Sequence, residues 1–521
     1  MPSAPIGAAL ISVYDRTGVA ELAAALSAAG VPIYATGGTC RHLSAAGIDV
    51  RDVGDLTGFP SLFDGRVKTL HPNVFGGILA DRTNPEHVAE AQRYGVPSIA
   101  AVVVNLYPFE STVAREEATL EEAIEQIDIG GVSLLRAAAK NFTNVSVLSD
   151  PAQYPAFIAA LPAGGLDLAA RRTLATRAFE RTAEYDSAIA RYLEAGLIAG
   201  DLPGSLALTI PIEQPLRYGE NPQDRAAFYL AREAKLPEQL WGKTLSYNNL
   251  LDLDATLRLL VRAPYGIAPA AVTYTHRAAI VKHTVPCGVA QRGSVADAVR
   301  EALDADPVSA FGGIIAVDGE VDAATAAALG EFFLEIVAAP GFTDDALDLL
   351  KKKKNLRIMR YSRGMPERIA QELRVRSALG GVLAEDDDPQ AAPERWHVAS
   401  RRQPSASEWI DLAFAWDVVR HVKSNGVTIV RDGITRGICA GQTNRVSAVR
   451  IAGARAAEFA AGAACASDGF FPFADGLIAA ADAGATAVIA PSGSIRDAEV
   501  IAAADERDIA LVFSSYRYFL H

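Results

Sequence analysis

Lys282 and His283, two side chains able to exchange protons, close an apolar run in AAIVKHTVPCGVAQRG, residues Ala278 to Gly293. Neighbouring side chains on a strand point to opposite faces, so both can serve one site only where the backbone leaves strand geometry. Pro286 and Gly288 announce a turn just beyond. Such a pair suits proton transfer and stabilisation of a developing oxyanion. The same stretch raises a rival, because zinc deaminases pair H-x-E with P-C-x-x-C. Here Ala290 stands three residues after Cys287, and neither His276 nor His283 is followed two residues on by Glu. Cys439 and Cys465 are far away in the chain. A tetrahedral ligand set of the usual spacing is missing, so no zinc or other metal site is expected.

A second group of residues lies in the first half. Thr36-Gly37-Gly38-Thr39 separates an apolar run from a helical pattern. Glycines there let the backbone approach an anion, and a helix N-terminus offers free N–H groups. The same four residues also read as a tight turn with Thr39 as the helix cap. The stretch is neither G-x-G-x-x-G nor a Walker loop. Arg66, Lys68 and His71 gather in a segment that Gly65 and Pro72 make a loop. That cation set suits a sugar phosphate, or else is solvated surface. Asn105 and Tyr107 end the run IAAVVVNLYPF, at the carboxyl end of a strand, where open α/β sheets bind ligands. Arg136 and Lys140, four apart after Gly130-Gly131, share a helix face.

These residues need elements to hold them. AALISVYD, VPIYA, IAAVVVN and VSVLS read as strands alternating with helical patterns, which predicts an open parallel α/β sheet. Residues 165–200 read as helix. Gly200 to Asp224 is rich in Pro and Gly, and we place a domain boundary there, giving residues 1–205 and 206–521. Strands such as AAIVKH, GGIIAVDG, GVTIVRDG, TAVIAP and IALVFSS follow, mixed with helices, over a length that allows two similar lobes. The runs Lys351–Lys354 and Glu385–Asp388 read as solvated loops or helix ends. With 521 residues the chain exceeds a single core. A net charge of −13 and a pI near 5.2 argue against nucleic acid or an anionic membrane as partner. Four scattered cysteines, none spaced as C-x-x-C, fit a reducing cytoplasm. We expect neither a signal peptide nor a membrane span.

Taken in order, SVYDRTG, TGGT, GRVKTLHP, VVNLYPF and DIGGVSLLRAAAKN resemble the N-terminal IMP cyclohydrolase domain of the bifunctional AICAR transformylase/IMP cyclohydrolase family. QPLRYGENPQD, DPVSAFGG, APGF, VKSNGVTIV, GQTNRVSAVRIA, DGFFPFADG, APSGSIRD and YRYFLH resemble its transformylase region. The resemblance covers nearly the whole chain. It implies a methylglyoxal-synthase-like parallel-sheet domain followed by two cytidine-deaminase-like lobes without the metal. It implies formyl transfer from 10-formyltetrahydrofolate, a cosubstrate rather than a tightly bound cofactor, to AICAR. Formyl-AICAR then closes with loss of water to IMP. Homodimers, with transformylase sites at the subunit interface, are implied as well.

Carried over onto this sequence, Tyr14, Asp15, Arg16, Thr36, Gly37, Gly38, Thr39, Arg66, Val67, Thr69, Asn105, Ile129 and Gly130 would hold the cyclohydrolase nucleotide. Lys68, Tyr107, Asp128 and Lys140 would surround its reacting atoms. Lys282 and His283 would be the transformylase pair: an imidazole, which titrates near neutrality, suits a base for a weakly nucleophilic amine. Arg217, Tyr218, Asn249, Ser309, Phe311, Gly312, Glu335, Asn425, Arg445, Phe470 and Arg517 would bind AICAR. Asp475, Ser494 and Ile495 would meet the folate, and His521 also matches a family position. Three positions depart from the family: Val285 replaces a usual Asn, Phe75 a frequent His, and Arg16 a usual Lys. Two other readings are carried forward. In one, the first domain only senses a nucleotide; in the other, the chain is a zinc deaminase.

Overall fold

The structure is a computed structural model that describes residues 6–59, 62–115, 117–195, 202, 204–231, 234–262, 274–386 and 394–521. The chain divides into two compact units, residues 1–211 with 231–233, and 212–230 with 234–521. The divide falls inside the Pro/Gly-rich stretch, six residues beyond the boundary at 205/206. Ile212–Leu216 pairs with Ala226–Tyr229 and so already belongs to the second unit.

The first unit is built on a five-stranded parallel sheet. Its order is Arg51–Asp52, Ile33–Ala35, Ala8–Val13, Ile99–Asn105, Ser146–Leu148. Apolar cores cover both faces, which is why Ile99–Asn105 is apolar at nearly every position rather than alternating. One core includes the helix Gly130–Lys140 and the long helix Leu168–Ala195.

A twelve-stranded mixed sheet forms the second unit, and its two halves repeat one plan. In the first half a hairpin, His276–Lys282 and Val285–Arg292, is followed by Ile314–Val317, Ile336–Ala339 and Arg357–Arg360. In the second, the hairpin Val427–Arg431 and Ile434–Cys439 is followed by Ala464–Ser467, Ala487–Pro491 and Ala510–Ser514. The two hairpins meet back to back through Ala290 and Ile434, so the expected lobes share one sheet.

The repeat extends to single residues. His283 and Thr284 turn the first hairpin with φ of 56° and 59°; Asp432 and Gly433 turn the second with 55° and 70°. Three residues past each turn one residue is bulged out of register, Cys287 and Arg436. A glycine follows each bulge. A Cβ on Gly288 would stand 2.1 Å from the Ala302 carbonyl oxygen, and one on Gly437 2.0 Å from that of Ala452. This corrects the reading of Pro286-Cys287-Gly288 as a turn. It is a bulge inside a strand, and Gly288 is required by the helix crossing over it.

The basic run lies at helix ends, with Lys351 the C-cap of the helix Asp344–Leu350. Lys353 folds back onto the carbonyls of Leu329 and Phe332, near the end of the helix Ala323–Gly330, where a cation opposes the helix dipole. Of the acidic run, 387 and 388 lie outside the described residues.

Candidate active sites

In the first unit a cavity of about 1100 Å³ opens at the carboxyl end of the parallel strands. Thr36 is the N-cap position of the helix Gly37–Ala45, correcting the alternative that gave this role to Thr39. The Thr36 hydroxyl lies 2.9 Å from that of Ser12, while Thr39 Oγ1 donates to the Val13 carbonyl at 3.1 Å. Both hydroxyls are thus spent on the neighbouring strand, leaving the first-turn N–H groups of the helix free for an anion. A Cβ on Gly38 would stand 3.3 Å from the Arg16 guanidinium, so the cation lies against the same turn.

Asn105 shapes the opposite rim. Its Oδ1 accepts from the N–H groups of Tyr14 at 2.6 Å and Asp15 at 2.9 Å, and its Nδ2 donates to the Asp15 carbonyl at 2.8 Å. Tyr14 and Tyr107 then meet edge to face, ring centres 5.8 Å apart. Asp128 accepts from the Gly131 N–H at 2.7 Å, and its own N–H donates to the Tyr185 hydroxyl at 2.9 Å. Burial pushes the Asp128 carboxyl up, opposed by the Gly131 and Tyr107 backbone N–H groups and by Lys68. Burial, then Asp128, pushes the Tyr107 phenol up. A half-buried carboxyl of raised pKa beside a lysine is a common mark of proton-transfer sites.

Of the expected residues, Tyr14, Asp15, Arg16, Thr36, Gly38, Thr39, Arg66, Lys68, Thr69, Asn105, Tyr107, Asp128, Ile129 and Gly130 line this cavity. Gly37 and Val67 do not line it. Lys140 is exposed at the far end of its helix, ten residues from Gly130 or about 15 Å along the axis, and does not reach the cavity within one chain. His71 is corrected as well: it does not line the cavity, and its Nδ1 accepts from the Asn73 N–H at 3.1 Å, capping the helix Pro72–Leu79. Phe75 packs against the core on that helix. Glu125, paired with Arg66 at the rim, went unread in the sequence, where it passes for a surface helix residue.

The second unit carries a cavity of about 530 Å³ beneath the first hairpin turn. Lys282 and His283 line it together with Arg217, Tyr218, Asn249, Gly312 and Glu335. The left-handed turn takes the backbone out of strand geometry at His283, which answers how adjacent residues face one space. Lys282 Nζ donates to the Phe311 carbonyl at 2.7 Å, which places the Ser309–Phe311 segment beside it. Asn249 Nδ2 donates to Glu335 at 2.7 Å, and the Arg217 guanidinium stacks on Tyr218, 4.6 Å from the ring centre. Lys243, Asp252 and Arg357 also line the cavity and were missed; each is a lone charge in an otherwise ordinary pattern. Val285 pairs with Lys282 across the hairpin.

The remaining expected residues do not share this cavity. Arg445 is buried in an ion pair with Asp468 and also donates to Ser467 Oγ and Asn425 Oδ1. Arg517 stacks on Phe519, and Phe470 is part exposed beside the Asp468-Gly469 turn. Asp475, Ser494 and Ile495 begin or precede helices of the second half. By strand order and direction these groups sit at the same end of the sheet as Lys282, three or more strands away, about 14–19 Å for Asn425 and Asp468. Burial pushes the Cys287 thiol up to about 12. Among the described residues no three His, Cys, Asp or Glu side chains gather as metal ligands, and no helix is long and apolar enough to cross a membrane.

A family model described as AICARFT/IMPCHase bienzyme matches residues 138–455, and one described as MGS-like domain matches residues 18–133. The chain belongs to the AICARFT/IMPCHase bienzyme family. It is 46% identical to the bifunctional purine biosynthesis protein PurH of Roseobacter denitrificans, over 99% of both chains. It is 46% identical to PurH of Cereibacter sphaeroides, again over 99% of each. It is 47% identical to PurH of Prochlorococcus marinus, over 99% of this chain and all of that one. The protein is thus a bifunctional AICAR formyltransferase and IMP cyclohydrolase of the last two steps of purine biosynthesis, with an MGS-like first unit. Its family uses 10-formyltetrahydrofolate as formyl donor.

Proposed function

We propose that ring closure takes place in the first-unit cavity and formyl transfer at Lys282-His283. In the first cavity the free N–H groups of Gly37–Thr39 and Arg16 take the nucleotide phosphate. Lys68, Tyr107 and Asp128 face the reacting atoms. The carboxamide nitrogen loses a proton and attacks the formyl carbon, and the resulting hydroxyl leaves as water. Lys68 stabilises the oxygen that carries the developing charge. The observation that carries this assignment is the clustering of a half-buried, pKa-raised Asp128 with Tyr107 and Lys68 opposite a phosphate-ready helix N-terminus.

In the second unit the AICAR amine attacks the formyl carbon of 10-formyltetrahydrofolate while His283 takes the amine proton. Lys282 stabilises the oxyanion, and the folate nitrogen leaves with a proton. Arg217, Tyr218, Asn249 and Glu335 hold the nucleotide. Asn425, Arg445, Phe470 and Arg517, with the folate group Asp475, Ser494 and Ile495, act from a second copy in a cytoplasmic homodimer. Their separation from the Lys282 cavity within one chain supports that arrangement.

The test is product analysis with AICAR and 10-formyltetrahydrofolate. Wild type makes IMP without lasting intermediate. Lys68→Ala accumulates formyl-AICAR, and His283→Ala makes neither product yet still closes supplied formyl-AICAR. Lys68→Ala with full IMP formation would leave the first unit a nucleotide-sensing module.

A further inference from the structure

The two halves of the second unit share a device that no comparison assigns. Helix Tyr247–Arg258 starts from the capping box Ser246/Asn249, and helix Ala406–Val419 from the capping box Ser405/Glu408. Six residues after each capping serine stands an aspartate, Asp252 and Asp411. Each turns both carboxylate oxygens onto the hairpin turn of its own half. Asp411 accepts from the N–H groups of Asp432 at 2.9 Å and Gly433 at 2.7 Å. Asp252 accepts from those of His283 at 3.3 Å and Thr284 at 2.6 Å.

The clamp is the same, but its load is not. A turn with two positive φ angles favours Asn-Gly or Asp-Gly, and the second half supplies Asp432-Gly433. The first half puts His283 and the β-branched Thr284 into the same left-handed backbone, where a β-branched residue is an outlier. Relaxation of that turn toward a strand would swing the imidazole to the other face.

We propose that Asp252 is the positioning residue of formyl transfer, holding His283 in the cavity through the two turn N–H groups. The inference rests on His283 being the base. Asp252 acts through the backbone, since both its oxygens are engaged there, and burial raises its pKa as expected for a carboxylate turned inward.

The experiment compares kcat and KM for formyl transfer in Asp252→Asn, Asp252→Asn/Thr284→Gly, Asp411→Asn and His283→Ala. Ring closure of supplied formyl-AICAR is the folding control. Misplacement of a catalytic group by about 1 Å costs on the order of 100-fold, so Asp252→Asn should lose about that factor in kcat. KM for AICAR should change far less. Thr284→Gly, which accepts the left-handed turn without strain, should restore most of the loss. Asp411→Asn should lower the melting temperature without moving kcat. Failure of Thr284→Gly to rescue, or an equal kcat loss in Asp411→Asn, would overturn the proposal. So would full activity in Asp252→Asn while His283→Ala is dead. Activity surviving in His283→Ala would instead sink the underlying assignment of the base.

Discussion

Replacing Asn105 by Ala tests whether the first cavity is set by the three hydrogen bonds that fold the Tyr14-Asp15 segment over it. A typical hydrogen bond nets about 1 kcal/mol, which would give about 3 kcal/mol for the set. The segment is exposed and water replaces part of the loss, so about 1.5–2 kcal/mol is the working figure. Spent on ordering the rim before the nucleotide arrives, that is about a 10- to 30-fold rise in KM for formyl-AICAR. The melting temperature should fall little, because the freed N–H groups hydrate. Formyl transfer should be unchanged, since its residues lie in the other unit. Asn105→Asp is the sharper variant. It keeps the acceptor, loses the donor to the Asp15 carbonyl, and adds a charge beside Asp15. Its KM should exceed that of wild type most at low ionic strength and approach it as salt screens the added charge. Calorimetric titration with IMP reads the same effect without turnover. An unchanged KM and IMP affinity in Asn105→Ala would refute the idea that this segment is part of the binding surface.

Asp128→Asn should stabilise the fold as it removes ring closure. Burial raises the Asp128 pKa, so folding favours the protonated form, and stability is lost as pH rises through the folded pKa. The melting-temperature gain of the variant should therefore be larger at pH 7 than at pH 4, and an equal gain at both would contradict the burial argument. Gly288→Ala and Gly437→Ala each place a methyl about 2 Å from a helix carbonyl oxygen and should each cost about 3 kcal/mol in urea unfolding. Retention of wild-type stability by either would mean that the helix shifts freely. Arg445→Ala strands the buried Asp468 and should cost about 3–5 kcal/mol, against under about 1 kcal/mol for the exposed Arg66–Glu125 pair. Similar losses in the two variants would count against the difference in burial.

Much of the first cavity was legible because its residues fall where strands give way to helices: Thr36 to Thr39, Asn105 and Tyr107, Asp128 to Gly130. Glycine, helix-start and strand-end signals are local, so single segments reveal them. Glu125, Lys243 and Arg357 were not legible, since a lone charge in an amphipathic pattern looks like surface until another segment closes over it. Lys140 is the opposite case, for a helix that begins in the site carries its last residue about 15 Å along the axis, outside the cavity of one chain. His71 misled, because a loop cation and a helix cap look alike before the next turn is folded.

The misplaced turn of the first hairpin has a different cause. Thr284 and Val285 are strand formers, and Pro286-Cys287-Gly288 carries the ordinary turn signals, so local propensity puts the reversal three residues late. The backbone reverses at His283-Thr284 because Asp252, 31 residues upstream, binds its N–H groups. In the second half, Asp432-Gly433 agrees with the same backbone, although the run GVTIVRDG reads whole as strand. The sequence thus disagrees with its own fold at one of two equivalent turns, and that turn carries the pair proposed for proton transfer. Local conflict of this kind persists where surrounding structure over-determines it and function gains from it. A repeat therefore offers an internal control: of two copies of one frame, the one whose residues fit it less well is the one that holds the proposed proton-transfer pair.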